Sequence, residues 1–320
     1  MTGASIGLPL PDGAVITVGT FDGVHRGHLD VLATLVRHAE ARGVPSVVVT
    51  FDPHPLEVVN PAAAPPLLTE RSEKLAIFAQ AGVSYVAVLP FTRALAAFEA
   101  ERFVDEVLLE RFAMRELLVG HDHGFGRGRM GDIEVLRSLG VRRGFQVTVL
   151  PPVFAADGHA ISSTAIRRAV AGGDLASAAA GLGRPYSLSG VVVRGDQRGR
   201  TIGFPTLNLR PVSARKLLPP DGVYAVRVQL PEGEFGGMLN LGPRPTVGDD
   251  RRQVETHVFD ASRDWYGAHV RLDFVRYLRG TRPFNGLEAL KAQLAQDERD
   301  ARTALAHGVG DWLPHTAAPL

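Results

Sequence analysis

The sequence predicts two domains: an α/β domain with a parallel sheet, followed by an antiparallel β-barrel with a C-terminal helix. With 320 residues, the chain is about twice the common domain length. Up to residue 182, valine-rich strand patterns alternate with helical patterns, whereas from residue 183 short β-patterned runs are separated by turn residues. We therefore place the domain boundary between residues 182 and 183.

The first half alternates strands with helices. Five runs predict strands: Val15–Thr20, Ser46–Phe51, Tyr85–Leu89, Glu116–Val119 and Gln146–Leu150. Helical spacing lies between them, in His28–Arg42, Glu70–Ala81 and Glu99–Phe112. Apolar strands that alternate with helices are typical of a parallel sheet covered on both faces, and such sheets bind ligands beyond the carboxyl ends of their strands.

The second half has β-rich runs and one long helix. The runs are Gly190–Arg194, Gly222–Val228, Gly236–Leu241, Thr256–Phe259 and Val270–Phe274. Turn residues between them favour a small antiparallel barrel or sandwich. An amphipathic helix over Gly286–His307 closes the domain, and we expect its inward residues to be Leu287, Leu290, Leu294 and Ala295.

Composition excludes several classes of protein. Apolar residues make up 45% of the chain, which is too many for a disordered protein. The 35 basic and 34 acidic residues nearly cancel, so we expect neither a nucleic-acid nor a membrane partner. The absence of cysteine excludes disulfides, Cys-zinc sites and thiol nucleophiles. With no secretion signal or membrane-length apolar stretch, we expect a cytoplasmic protein, and homo-oligomerisation stays open.

The first predicted strand ends in a glycine-rich motif with two histidines. The motif reads Gly19-Thr-Phe21-Asp22-Gly23-Val-His25-Arg-Gly-His28. Its glycines allow a tight turn and a close approach to a ligand. His25 and His28 share one face if a helix has begun there, and imidazole N–H groups beside free helix amides suit a nucleotide phosphate. The alternative is a glycine-rich loop with two surface histidines.

A second polar motif, Ile161-Ser-Ser163-Thr164-Ala-Ile-Arg167, lies far along the chain. Ser162 or Ser163 can cap a helix here. Arg167 would then lie about one turn inside, on the same face as Ser163 or Thr164, where its charge could hold a polyphosphate. Taken alone, this stretch favours the alternative, a capped surface helix with an exposed arginine.

Together the two motifs resemble the nucleotidylyltransferase superfamily. Thr50-Phe-Asp-Pro-His54-Pro and Val119-Gly-His-Asp122-His123-Gly-Phe125 are further similar to the adenylyltransferase module of the bacterial bifunctional riboflavin kinase/FAD synthetase family. The resemblance implies a Rossmann-like domain that transfers AMP from ATP to FMN, giving FAD and pyrophosphate. His123 departs from the family, which commonly has Phe at this position.

The resemblance also implies roles for individual residues of this first module. Catalytic roles fall to His25, His28 and Arg167. Contacts to ATP and its phosphates fall to Gly19, Phe21, Asp22, Gly23, Ser163 and Thr164. Contacts to the flavin fall to His54, Asp122 and Phe125.

Thr206 and Asn208 lie two residues apart in the β-rich half, hence on one face of an extended chain. Hydroxyl and amide oxygens suit Mg²⁺, although a turn whose polar residues bond their own backbone is the alternative. Glu255 and His257 would likewise project to one side of a strand. An inward carboxylate can act as a base for an alcohol, but the stretch alone favours an outward, solvated one.

Four segments of this half resemble the flavokinase module of the same family. They are Gly199-Arg200-x-x-Gly203-Phe-Pro-Thr206-x-Asn208, Pro220-Asp-Gly-Val-Tyr224-Ala, Leu239-Asn240-Leu-Gly-x-x-Pro-Thr246 and Val254-Glu255-x-His-x-Phe-Asp. The resemblance implies a Greek-key barrel that transfers the γ-phosphate of ATP to the ribityl 5′-hydroxyl of riboflavin. Arg244 departs from the Asn that is common at its position.

In this second module, the resemblance makes Glu255 the acceptor of the hydroxyl proton. It makes Thr206 and Asn208 the ligands of Mg²⁺, with Arg200 and Gly203 at the ATP phosphates. The whole chain thus resembles a bifunctional enzyme that uses ATP, riboflavin and FMN as small-molecule substrates. The alternatives are a nucleotidylyltransferase for another phosphate acceptor and a non-catalytic flavin-binding regulator.

Overall fold

The computed structural model describes residues 10, 12–120, 132–155, 158–195, 198–243, 252–261 and 263–306, without the side chains of Arg198 and Arg200. The chain divides into two compact units, Met1–Ser162 and Ser163–Leu320. Each unit is described by itself below.

The first unit is built on a five-stranded parallel sheet. Its strands are β1 (Ala14–Val18), β2 (Ser46–Asp52), β3 (Tyr85–Pro90), β4 (Met114–Gly120) and β5 (Gln146–Leu150). They lie in the order β3-β2-β1-β4-β5, and all neighbours run parallel, as the sequence predicted. Strands β2 and β3 lie on one side of β1, and β4 and β5 lie on the other. The strand order therefore reverses between β1 and β4, and a crevice is expected at the carboxyl ends of these two strands.

Helices cover both faces of this sheet. They are α1 (Arg26–Arg42), α2 (Pro55–Val59), α3 (Arg71–Gln80), α4 (Arg93–Ala96), α5 (Ala100–Phe103), α6 (Glu110–Phe112) and α7 (Ile133–Arg143), with a 3-10 turn (Pro61–Ala63) and a π-helical stretch (Val104–Leu109). Val15 and Val48 pack with Leu32 of α1 on one face. Ile16 packs with Leu136 of α7 on the other. Successive strand residues point to opposite faces, which explains why the strands are apolar throughout.

The second unit opens with two helices, α8 (Ser163–Ala171) and α9 (Leu175–Leu182). Its strands are β6 (Tyr186–Val193), β7 (Leu207–Pro211), β8 (Gly222–Leu230), β9 (Gly233–Pro243), β10 (Arg252–Val258) and β11 (His269–Arg279). They form a closed barrel in the order β10-β7-β6-β11-β8-β9, with antiparallel neighbours. Because α9 packs against β6 and β11, residues 163–182 group with the barrel.

The barrel is completed by a short helix, α10 (Arg198–Thr201), and by the long C-terminal helix α11 (Leu287–Ala306). α11 packs on β8, β9 and β11 through Asp297, Ala301 and Ala304, which are its buried residues. The prediction that Leu287 faces inward is wrong, since its side chain is 51% exposed. The Asp297 carboxylate accepts hydrogen bonds of 2.8 and 2.6 Å from Arg279 of β11. Leu294, which was predicted to face inward, packs with Leu305 against the core cluster that contains Ala301 and Ala304.

Candidate active sites

The motif after β1 forms a tight, buried turn that leads into α1. Phe21, Gly23 and Val24 all have left-handed backbone conformations, with φ of 49°, 83° and 37°. For a β-branched residue such as Val24 this conformation is strained, by about 1–3 kcal/mol. Such a turn persists only where its surroundings hold it, and strain of this kind is concentrated at functional sites.

Asp22 ties this turn to the segment before α3. Its side chain is 2% exposed, and its carboxylate accepts hydrogen bonds from the backbone N–H groups of Leu68 (3.0 Å) and Thr69 (2.9 Å). The Thr69 hydroxyl also donates to it at 3.2 Å and accepts from the Gly23 N–H at 2.9 Å. In this geometry Asp22 positions the turn, and its predicted contact with ATP stays a prediction.

Lys74 of α3 holds the same turn from a second direction. Its Nζ donates to the Thr20 carbonyl at 2.7 Å, and the Thr50 hydroxyl donates to that oxygen at 3.3 Å. Burial lowers the pKa of Lys74, against the opposite influence of Asp22 and Asp52. Sequence reasoning assigned Lys74 no role. The rarity of lysine in this chain could have drawn attention to Lys74, because only three of the 35 basic residues are lysines.

The two histidines of the motif lie together at the start of α1. His25 is the N-cap, and its Nδ1 accepts a hydrogen bond of 3.4 Å from the His28 N–H. The two rings stack with centroids 3.7 Å apart, and Phe21 packs edge-on against His28 at 5.1 Å. A side chain at Gly27 would crowd the His25 ring, with its Cβ only 3.2 Å away. An acceptor Nδ1 places the hydrogen of a neutral His25 ring on Nε2, the kind of donor that a phosphate oxygen needs.

A cleft lies at the carboxyl end of β2. Its lining includes Asp52, His54, Arg71 and Lys74, so both signs of charge meet there. His54, predicted to contact the flavin, caps α2 by accepting the Leu56 N–H on Nδ1 at 3.2 Å. The other predicted flavin contacts, Asp122 and Phe125, and the unusual His123 lie outside the described residues.

The second polar motif begins α8, whose first residue is Ser163; the sequence predicted a helix capped by Ser162 or Ser163. Arg167 follows four residues later and is half-buried, while Thr164 is exposed. Residues three and four apart on a helix lie on one face, so these side chains share a face of α8. They belong to the second compact unit.

Strand register brings the polar residues of the barrel together. Asn208 of β7 lies directly opposite Glu255 of β10, and Asn240 of β9 lies opposite Glu255 on the other side. Along β10 the neighbours Val254 and Thr256 are buried, while Glu255 is half-buried. A row of two amides and one carboxylate therefore crosses three adjacent strands on the side away from the buried residues.

Thr206 immediately precedes β7 and lies two residues from Asn208. The segment before it is folded by hydrogen bonds from Ile202 N–H (3.2 Å) and Phe204 N–H (2.9 Å) to the Gly199 carbonyl. Gly203 has a φ of 88°, which glycine adopts readily. Arg200 lies in α10, with only its backbone described, and Arg244 lies outside the described residues.

Asn208 packs closely on Gly195, which lies two residues after the end of β6. Any side chain at Gly195 would overlap the carboxamide of Asn208. This packing restricts the rotamers of Asn208 and keeps its amide beside Glu255. The oxygen-rich group of Thr206, Asn208 and Glu255 suits a hard divalent cation bound together with phosphates.

The fold and these clusters define a two-domain, nucleotide-dependent transferase, with an α/β module and a barrel module. Comparison with known proteins identifies each module. A family model for FAD synthetase matches residues 9–165, and one for riboflavin kinase matches residues 182–305.

Full-length relatives agree with both matches. Proteins named bifunctional riboflavin kinase/FMN adenylyltransferase are 43% identical in Escherichia coli (strain K12), over 91% of this chain and 92% of that protein, and 39% identical in Pseudomonas fluorescens, over 92% and 94%. One from Bacillus subtilis (strain 168) is 32% identical over 90% and 91%. The chain belongs to the bifunctional riboflavin kinase/FMN adenylyltransferase family.

A solved structure supports the fold of both halves. A chain described as a macrolide-efflux protein from Streptococcus pneumoniae is 30% identical, with a TM-score of 0.83, and the match covers 92% of this chain and 96% of that one. In the described part of our chain, none of the helices has the length and apolar character needed to cross a membrane.

Proposed function

We propose that the barrel phosphorylates riboflavin to FMN, and that the α/β module adenylylates FMN to FAD, each step consuming its own ATP. The observation that carries this proposal is the presence of two separate polar clusters, each in a segment matched by the corresponding family model. Because the clusters share no residues, the two activities are separable.

In the kinase reaction, Glu255 accepts the proton of the ribityl 5′-hydroxyl as that oxygen bonds to the γ-phosphorus and ADP leaves. Thr206 and Asn208 would hold Mg²⁺, and Arg200 and Gly203 contact the ATP phosphates. The cation, when bound, neutralises phosphate charge. The in-register pairing of Asn208 with Glu255 supports this assignment, since it places the two residues directly opposite each other on adjacent strands.

In the adenylyl transfer, a phosphate oxygen of FMN bonds to the α-phosphorus of ATP, and the bond to the leaving pyrophosphate breaks. His25 and His28 donate to phosphate oxygens, and Arg167 with Ser163 and Thr164 holds the triphosphate. No covalent enzyme intermediate is required, because positioning and charge neutralisation lower the barrier.

The turn of Gly19, Phe21 and Gly23 gives the nucleotide a close approach to the backbone, while Asp22 and Lys74 hold that turn. We assign the flavin of FMN to the cleft beside His54, together with Asp122 and Phe125. The lining of this cleft combines apolar side chains with polar and charged ones, which is typical of a small-molecule site.

One incubation tests the whole proposal. The protein is mixed with riboflavin, ATP and MgCl₂, and the flavins are separated by chromatography over time. We expect FMN first and FAD later, and neither when EDTA is in excess. Supplied FMN should give FAD, whereas nicotinamide and pantetheine phosphates should not be adenylylated. Absence of FMN refutes the kinase half, and adenylylation of another acceptor in preference to FMN refutes the other half.

A further inference from the structure

His257 connects the barrel wall to the segment that precedes β7. It lies on β10 two residues from Glu255 and therefore on the same side of the strand. Its Nδ1 lies 2.7 Å from the backbone carbonyl oxygen of Pro205. The ring also packs edge-on against Phe204 (5.4 Å) and Phe259 (5.8 Å), so its orientation is defined on two sides.

The chemistry of this contact assigns the hydrogen. A carbonyl oxygen can only accept, so Nδ1 must carry the proton and donate it.

The accepting carbonyl belongs to the residue directly before Thr206. Pro205 cannot donate a backbone hydrogen bond of its own, so its carbonyl is the backbone group through which the segment can be held at this residue. Two bonds to the Gly199 carbonyl fold the earlier part of the segment, and His257 fixes its far end. Thr206 therefore lies between two restraints, the Pro205 carbonyl that contacts His257 and Leu207, which pairs with Thr256 in the strand ladder.

We propose that His257 is a positioning residue of the phosphoryl-transfer site, whose Nδ1–H holds the Pro205 carbonyl and so presents Thr206 to the metal and the ATP phosphates. The proposal rests on the proposed kinase function of the barrel. It predicts an effect on ATP use rather than on riboflavin binding, because the held segment carries the phosphate-side residues.

Two substitutions separate the hydrogen bond from the packing of the ring. His257→Leu keeps apolar contact with Phe204 and Phe259 but has no donor. His257→Asn places an amide N–H near the former Nδ1 and should restore the bond. His269→Asn is the matched control, because His269 is an exposed histidine on a strand of the same barrel.

Two measurements are made on each full-length variant: steady-state riboflavin phosphorylation with ATP and riboflavin varied separately, and amide hydrogen exchange of residues 199–206 without ligands. For His257→Leu we expect a rise of about 5- to 20-fold in the KM for ATP, the size of one lost hydrogen bond. We expect little change in the KM for riboflavin, unchanged adenylylation of supplied FMN, and faster exchange at Ile202 and Phe204. His257→Asn should restore the KM for ATP and the exchange rates most of the way to their wild-type values, and His269→Asn should match the wild type.

Wild-type exchange and wild-type KM for ATP in His257→Leu would overturn the proposal. Equal losses in the Leu and Asn variants, with exchange accelerated throughout the barrel, would also overturn it in favour of a purely structural role. If the wild type itself fails to phosphorylate riboflavin, the kinase function is refuted, whereas the exchange comparison still reports whether His257 holds the segment.

Discussion

The turn after β1 and the segment before β7 are both assigned to ATP, yet they are held in different ways. The first is buried: the Asp22 carboxylate and the Thr20 carbonyl each accept several hydrogen bonds, and Val24 is kept in a strained conformation. The second is more exposed, and a side-chain bond from His257 to the Pro205 carbonyl holds its far end.

Because of this difference, we expect substitutions in the two regions to affect the stability of the protein differently. In the first site the polar groups that shape the turn belong to the folded core, so removing one should destabilise the module as well as its activity. In the barrel, the backbone of Glu255 is placed by the strand ladder itself, so its half-buried side chain can be changed with little effect on the fold.

The largest effect is expected for Glu255→Gln, which removes the proposed base but keeps the size of the side chain. Riboflavin phosphorylation should fall by about 10²- to 10⁴-fold, the contribution of general base catalysis. Adenylylation of supplied FMN and thermal unfolding should not change. Glu288→Gln, on an 87%-exposed side chain of α11, is the control. A variant that keeps a third of the wild-type rate would show that Glu255 is not the base.

His28→Ala tests the opposite half. Loss of a phosphate donor in the transition state should reduce FMN adenylylation by about 10²- to 10³-fold. Conversion of riboflavin to FMN by the same sample is the internal control and should continue at the wild-type rate. If both activities fall together in a folded protein, the two sites are not independent and the comparison of the two regions fails.

Asp22→Ala tests whether the first turn depends on its buried polar groups. The change leaves the buried Leu68 and Thr69 donors without their acceptor, so we expect the free energy of unfolding of this module to fall by about 3–5 kcal/mol. Native-state hydrogen exchange of β1 measures the change. Asp30→Ala, at an exposed position of α1, should alter it by less than about 0.5 kcal/mol. Equal exchange in the two variants would show that the buried contacts of Asp22 do not stabilise this module.

Much of the framework could be predicted from local patterns. All five strands of the first unit were located from apolar runs, and α1, α3 and α11 from their helical spacing. The strand β7 and the helices α7 and α9 were not predicted. In α11 the apolar spacing correctly placed Leu294 on the packed face and wrongly added Leu287, and it did not reveal the buried ion pair of Asp297 with Arg279. That partner lies on another element, which no helical period reveals.

The candidate sites show the same limit more sharply. Spacing placed His25 beside His28 and Thr206 near Asn208, because these pairs are local. The register that sets Glu255 opposite Asn208 is tertiary information. Lys74 and His257 act on backbone carbonyls 54 and 52 residues away, and a carbonyl has no identity in the sequence. Residues that position a site through the backbone are therefore the ones that pattern reading misses.

The smallest effect is expected for Lys74→Met. Lys74 and His257 both donate to a backbone carbonyl, so this variant compares the buried turn with the exposed segment at the same kind of contact. Loss of the bond to Thr20 should lower the free energy of unfolding by about 1 kcal/mol near neutral pH. The pH dependence identifies the cause. Burial lowers the pKa of Lys74 below its ordinary value of 10.5, so on approaching that pH the unfolded chain binds more protons than the folded one.

In the wild type, the contribution of Lys74 to the free energy of unfolding therefore rises with pH between its lowered pKa and 10.5. At neutral pH and below this contribution is constant, because the lysine is charged in both the folded and the unfolded state. The difference in unfolding free energy between the wild type and Lys74→Met should grow over that alkaline window. Lys291→Met, on the surface of α11, should show no such trend. A wild-type advantage that shrinks as the pH rises would show that the amine is not desolvated, and the first turn would then resemble the exposed segment of the barrel.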